Sequence, residues 1–182
     1  MSGILWPNVV AFMIGVLSSV AANWLASSAI FTRGRRLSIL GTWGEYVVES
    51  INHQYSLGMI YYDRRKAMYR FDGTNFRNNG ERYCHWETVT SYIDADARRF
   101  FYIFSAQLEG ELDKTFYGFG VLNLAIESGR IIPVDGHYAS TNVQDKILSH
   151  SMFRMDQFVY NRSEGGSKII RAIESIRKLR SH

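Results

Sequence analysis

Apolar residues fall along this chain in two regimes. From Ile4 to Phe31 they run almost unbroken for 28 residues, and no Lys, Arg, Asp or Glu precedes Arg33. Beyond Leu40 they alternate with polar residues in short stretches separated by turn signals. A helix of the first kind is about 42 Å long at about 1.5 Å per residue. A bilayer core about 30 Å thick takes about 20 residues, so the segment is long enough to span it with tilt. The pattern predicts a transmembrane anchor and basic linker over 1–36. Arg33, Arg35 and Arg36 follow the apolar run at once, which favours a cytoplasmic location for everything after it. A cleavable signal peptide would carry its positive charge before a shorter apolar stretch. A buried core helix is the other alternative, but the uncharged run exceeds what a small core usually hides.

The alternating region predicts strands at Tyr46–Ile51, Tyr55–Tyr62, Ala67–Phe71, Tyr83–Ile93, Phe100–Leu108, Thr115–Ile126, Arg130–Ser140 and Ile147–Met155. The connections carry turn chemistry: Asp63-Arg64-Arg65-Lys66, Asp72-Gly73-Thr74-Asn75, Asn78-Asn79-Gly80, Asp94-Ala95-Asp96, Glu109-Gly110-Glu111, Glu127-Ser128-Gly129 and Thr141-Asn142-Val143. Within Tyr83–Ile93 a period of two places Trp86, Thr88, Thr90 and Tyr92 on one face, and His85, Glu87, Val89, Ser91 and Ile93 on the other. Neither face is purely apolar. A semi-polar, aromatic interior suits a small up-and-down barrel that holds a ligand better than a dry sandwich. The expected fold is mainly β: an eight-stranded antiparallel up-and-down β-barrel over 37–162, preceded by the transmembrane helix.

Over 163–182, Ile169, Ile170, Ile173, Ile176 and Leu179 recur at helical spacing, opposed by Lys168, Arg171, Arg177, Lys178 and Arg180. This amphipathic helix either docks on the barrel or lies on an anionic membrane leaflet.

Composition narrows the chemistry. The chain has 182 residues, 11 Phe, 11 Tyr, 4 Trp, only 2 Pro and a net charge of +4. That charge permits contact with anionic lipid or nucleotide phosphates without calling for a nucleic-acid polymer. The lone Cys84 cannot form an intrachain disulfide, in keeping with a reducing compartment. The histidines His53, His85, His137, His150 and His182 show no metal-ligand spacing, and no nucleophile motif or phosphate loop is present. Gly118-x-Gly120 lies in a strand-like run and reads as barrel geometry. Neither a catalytic centre nor a metal or cofactor is expected.

Binding remains. Aromatic faces stack on nucleobases for about 1–3 kcal/mol each, and arginine matches phosphate oxygens in a fork. The candidate ligand contacts are Trp86, Thr88, Thr90 and Tyr92 on one strand, with Tyr69, Tyr102, Tyr117 and Asn123 on others. Arg70 and Arg154 are the candidate phosphate partners. In the anchor, Ala11, Gly15, Ser18, Ala22 and Ala26 recur at three- and four-residue steps and form a small-residue stripe. Such stripes let membrane helices pack closely, so this one is a candidate self-association face.

The order of parts resembles a known family. An uncharged N-terminal span, a basic linker, the opening Leu40-Gly41-Thr42-Trp43 and some eight strands are similar to the two-transmembrane, β-strand-rich effectors of bacterial antiphage signalling (CBASS and Panoptes). The likeness covers the whole chain as architecture, with one span here where the family has two. It implies a cytoplasmic barrel that binds a cyclic di- or oligonucleotide made by a partner cyclase or polymerase. It also implies membrane helices that oligomerise and disrupt the inner membrane, causing growth arrest or death. In CBASS the nucleotide activates the effector; in Panoptes it restrains it. A membrane-tethered, lipocalin-like carrier of a small apolar ligand and a structural subunit of a membrane complex are the alternatives.

Overall fold

Strands β1 (Gly41–Val47), β2 (Tyr55–Asp63), β3 (Met68–Phe76), β4 (Arg82–Asp94), β5 (Arg99–Leu108), β6 (Glu111–Glu127), β7 (Arg130–Ser140) and β8 (Leu148–Arg154) pair antiparallel in sequence order. β8 then closes on β1, with Trp43 opposite Arg154 and Val47 opposite His150, so the barrel has no open edge. One helix, α1 (Gly166–Arg180), follows. This computed structural model describes residues 39–48, 50, 54–141, 147–155 and 165–180, with nothing beyond backbone at 112 and 113. The uncharged leader, including Ala11, Gly15, Ser18, Ala22 and Ala26, lies outside the described residues. Among the described residues no helix is long and apolar enough to cross a membrane.

Alternation builds the wall. In β5, Phe100, Tyr102, Phe104 and Ala106 are buried, while Arg99, Ile103 and Gln107 face water. The inward rings form a chain from Phe71 to Trp86 (4.7 Å between centroids), Trp86 to Phe104 (6.2 Å), Phe104 to Tyr138 (6.2 Å) and Tyr138 to His150 (5.8 Å). Glycines on neighbouring strands make room for them. A Cβ at Gly58 would stand 2.6 Å from the Phe71 ring, and those at Gly118 and Gly120 would collide with Phe104 and Tyr102. Gly118-x-Gly120 is therefore ring clearance inside the barrel wall.

Three expected elements move, one of them β6, which begins at Glu111 instead of Thr115. Asp72–Asn75 does not turn but continues β3, because the barrel supplies partners for its polar side chains. Asp72 Oδ1 accepts from the Thr88 N–H (2.7 Å), and Asn75 Oδ1 accepts from Trp86 Nε1 and Ser56 Oγ (2.8 Å each). The first strand begins at Gly41 instead of Tyr46, drawn back by pairing of Gly41 with Ile60.

α1 docks on the outside of the barrel. Ile169 and Ile173 bury against Tyr55, Leu57, Phe76, Phe153 and Met155. Gly44 is what admits Ile173, since a Cβ there would lie 2.8 Å from its Cγ1. Tyr55 donates to Glu174 (2.8 Å), Arg177 lies over the Tyr46 ring (4.1 Å) and Arg180 over Phe153 (5.3 Å). Ile169, Ile173 and the partly buried Ile170 and Ile176 are spent on the barrel, as expected of a docked helix, while Leu179 stays 79% exposed.

Candidate ligand-binding site

The barrel ends differ. At the end where β1 begins, Trp43 is fully buried, its Nε1–H donates to the Ile39 carbonyl (2.7 Å), and the Arg154 guanidinium lies 5.1 Å above its ring. Phe71, Phe100 and Leu122 are completely buried. Towards the opposite end a cavity of about 30 Å3 remains among Glu45, Ser56, Asn75, Trp86, Tyr102 and Tyr138, with Tyr83, Cys84, Phe104, Ala106, Phe116 and Ser140 completing its wall. It has room for about two water molecules. The interior is thus mostly filled with side chains, and far less hollow than the sequence suggests.

The ten expected ligand contacts scatter. Trp86 and Tyr102 line the cavity. Thr88 also faces inward, but its hydroxyl closes a gap in the β3–β4 ladder, accepting from the Phe71 N–H (2.8 Å) and donating to the Phe71 carbonyl (2.7 Å). A β-bulge between Thr88 and Thr90 inserts Val89 and reverses the alternation beyond it. Thr90 and Tyr92, expected beside Trp86, therefore face water, and Tyr92 is 65% exposed. Tyr69 pairs edge-on with Tyr62 at the sealed end (5.0 Å). Tyr117 is 54% exposed on the outer wall, and Asn123 donates to Asp135 on that wall (2.6 Å).

Neither candidate phosphate partner reaches the cavity. Arg70 lies on the outer face among Asp72 (2.9 Å), Glu87 (3.2 Å) and Asp63 (3.9 Å), already neutralised by carboxylates. Arg154 seals the far end on Trp43. Among the described residues no Lys or Arg lines the cavity, which corrects the placement of Arg70 and Arg154 inside it. Arg77 stacks on one of its wall residues, its guanidinium lying 5.1 Å over the Tyr83 ring.

The cavity's polar side chains were not among the expected contacts. Asn75 was hidden by its turn-like neighbours. Glu45 was legible in principle, since Trp43, Glu45 and Val47 share one face at a period of two, and a carboxylate between two large apolar side chains marks a buried polar group. Glu45 is 5% exposed, and burial pushes its carboxyl from the ordinary 4.5 up to about 8, with the Ser56 hydroxyl opposing. His150 lies 3.4 Å from it, Nε2 to Oε1, and burial followed by repulsion from His137 lowers the imidazole from 6.5 to about 3. The Cys84 thiol is pushed up to about 12 by burial, which makes it a packing group and not a nucleophile.

A second concavity of about 170 Å3 lies on the outer wall between His85, Glu87, Ser105, Gln107 and Thr115. It offers no aromatic face. Among the described residues no group of three or more His, Cys, Asp or Glu is placed to hold a metal ion. The chain matches no family model, no curated protein and no solved structure.

Proposed function

We propose that this chain is a membrane-anchored, non-enzymatic sensor of the bacterial inner membrane, whose cytoplasmic barrel binds a cyclic di- or oligonucleotide. The observation that carries the reading is one arrangement: the rings of Trp86, Tyr102 and Tyr138 around the hydrogen-bonding side chains of Glu45, Ser56 and Asn75, with Arg77 stacked on Tyr83 at the wall. One base would stack between rings while its phosphates stay outside with Arg77. A cavity of about 30 Å3 admits a base only if half-buried Phe116 or buried Tyr83 swings aside. The nucleotide would thus select an opened barrel, and this difference in affinity between states is what lets binding act on anything else. The opened state would alter self-association of the leader through Ala11, Gly15, Ser18, Ala22 and Ala26, and so the integrity of the membrane.

The test is the melting temperature of the full-length protein in detergent, titrated with cyclic dinucleotides and cyclic trinucleotides. Ligand at about 100 times its Kd adds about 2.7 kcal/mol, worth about 8 °C for a domain of this size. No shift with any of them removes the sensing proposal. In cells, Gly15→Leu and Ala22→Leu together should abolish growth arrest if helices must pack.

A second reading rests on a cavity lined, among the described residues, by no Lys or Arg: a tethered carrier of a small uncharged ligand. It predicts a melting shift with such ligands, none with nucleotides, and no growth arrest.

A further inference from the structure

The polar cluster inside the barrel holds an unusual pair. The Glu45 side chain is 6% exposed and that of His150 not at all, and their Oε1 and Nε2 atoms are 3.4 Å apart. Neither ring nitrogen of His150 has a hydrogen-bond partner, since the approach to Glu45 is not aligned as one. The imidazole has been given space for this position: a Cβ at Gly136 would stand 2.6 Å from Nε2. Orphaned buried polar atoms of this kind are rare and costly.

The other groups facing Glu45 offer it no cation. They are Ser56 on β2, Asn75 on β3, Cys84 on β4, Tyr102 on β5, Tyr138 on β7 and His150 on β8. An isolated carboxylate in such a place costs far more than a neutral carboxyl. A neutral carboxyl differs from a carboxylate in kind, because it donates through its O–H and accepts through its C=O. The nearby imidazole nitrogen gives that O–H a resting partner after a small rotation. When a ligand enters, the O–H can turn from His150 to the ligand without leaving a charge behind.

We infer that Glu45 is the specificity-determining group of the cavity, reading the edge of a heterocyclic base that presents a donor beside an acceptor, with His150 as the positioning residue behind it. The inference rests on the cavity being the ligand site, and it names the chemistry of that site. A purely apolar ligand has no use for this pair. A ligand that presents only acceptors would satisfy half of it.

Two measurements on the full-length protein in detergent test this separately from the sensing proposal. The first needs no ligand: carbon NMR of the glutamate side chains, with Glu45 assigned by its loss in Glu45→Gln. The Glu45 carboxyl should remain protonated at pH 7; a carboxylate signal there overturns the inference whatever binds. The second uses the cyclic di- or trinucleotide that shifts melting most, and free nucleosides if none does, at pH 6.5 and pH 9. Wild-type affinity should fall at least tenfold at the higher pH. Glu45→Gln, whose amide also donates and accepts, should bind at least tenfold more tightly than Glu45→Leu and show no dependence on pH. If Glu45→Gln binds as poorly as Glu45→Leu, or Glu45→Leu binds as wild type, the assignment falls while sensing stands. If no cyclic dinucleotide, cyclic trinucleotide or nucleoside binds, both fall.

Discussion

At the end of the barrel where β1 starts, Trp43, Phe71, Phe100 and Leu122 fill the interior, and the Arg154 guanidinium is spread over an indole face. At the other end the same kinds of ring stand apart around Glu45, Ser56 and Asn75. Both ends draw on alternating strands of one continuous sheet. What separates them is a buried hydrogen-bonding cluster, which keeps apolar groups from closing over it. The sealed end supplies stability, and the polar end gives some of it up for buried hydrogen-bonding groups.

The largest effect should come from the sealed end. Trp43→Ala removes a fully buried ring, its bond to Ile39 and the surface beneath Arg154, and should cost about 4 kcal/mol in urea unfolding. A smaller loss would mean that this end is not the closed one. Next comes the ring clearance between the ends. Gly120→Ala, whose new methyl would stand 2.3 Å from the nearest atom of the Tyr102 ring, should cost about 2 kcal/mol. Tyr102→Leu in the same chain should recover most of that; additive losses would show that the glycine serves another purpose.

The polar end should reveal itself through pH. Folded Glu45 holds its proton up to about pH 8, whereas the unfolded carboxyl releases it near 4.5. The folded state therefore binds more protons across that window, and stability falls as pH rises through it. His150 acts in the opposite sense: the folded ring stays neutral down to about pH 3, while the unfolded ring protonates below 6.5. Stability from that source falls as pH drops from 6.5. Between pH 4.5 and 6.5 the two slopes oppose and the melting temperature should be flat; from 6.5 to about 8 it should decline. Glu45→Gln should remove the alkaline decline and leave the acid one.

The smallest effect lies outside both ends, in the two-residue hairpin between β6 and β7. Ser128 adopts φ 49° and Gly129 φ 75°, a turn that suits Asn-Gly. Ser128→Asn should add about 0.5 kcal/mol, since asparagine tolerates the left-handed region better than serine. It should move neither the pH profile nor ligand binding, a control for the other three.

Much of this fold was legible because its determinants are local. Tyr55–Tyr62, Phe100–Leu108 and Arg130–Ser140 alternate cleanly and are bounded by turn residues, so strand and hairpin follow from neighbours in sequence. The candidate site was legible only at Trp86 and Tyr102. Thr90 and Tyr92 went astray because a single extra residue, Val89, reverses every later side chain, and nothing around Val89 in the sequence announces it. Asp72–Asn75 went astray because Asp, Gly and Asn carry turn chemistry wherever they occur. Their continuation as strand depends on Thr88, Trp86 and Ser56, which reach them only once the barrel has closed.

The sequence by itself determined the number of strands, their order as hairpins and the amphipathic helix, since period-two alternation, turn residues and helical spacing act over a few neighbouring positions. Only the tertiary structure decided which rings face inward, which arginines are already paired and how little space the interior leaves. Those depend on bulges, on glycines opposite rings and on partners far apart in sequence, such as Tyr55 and Glu174, 119 positions apart. A contact of that reach exists only when the whole wall has come round to meet itself.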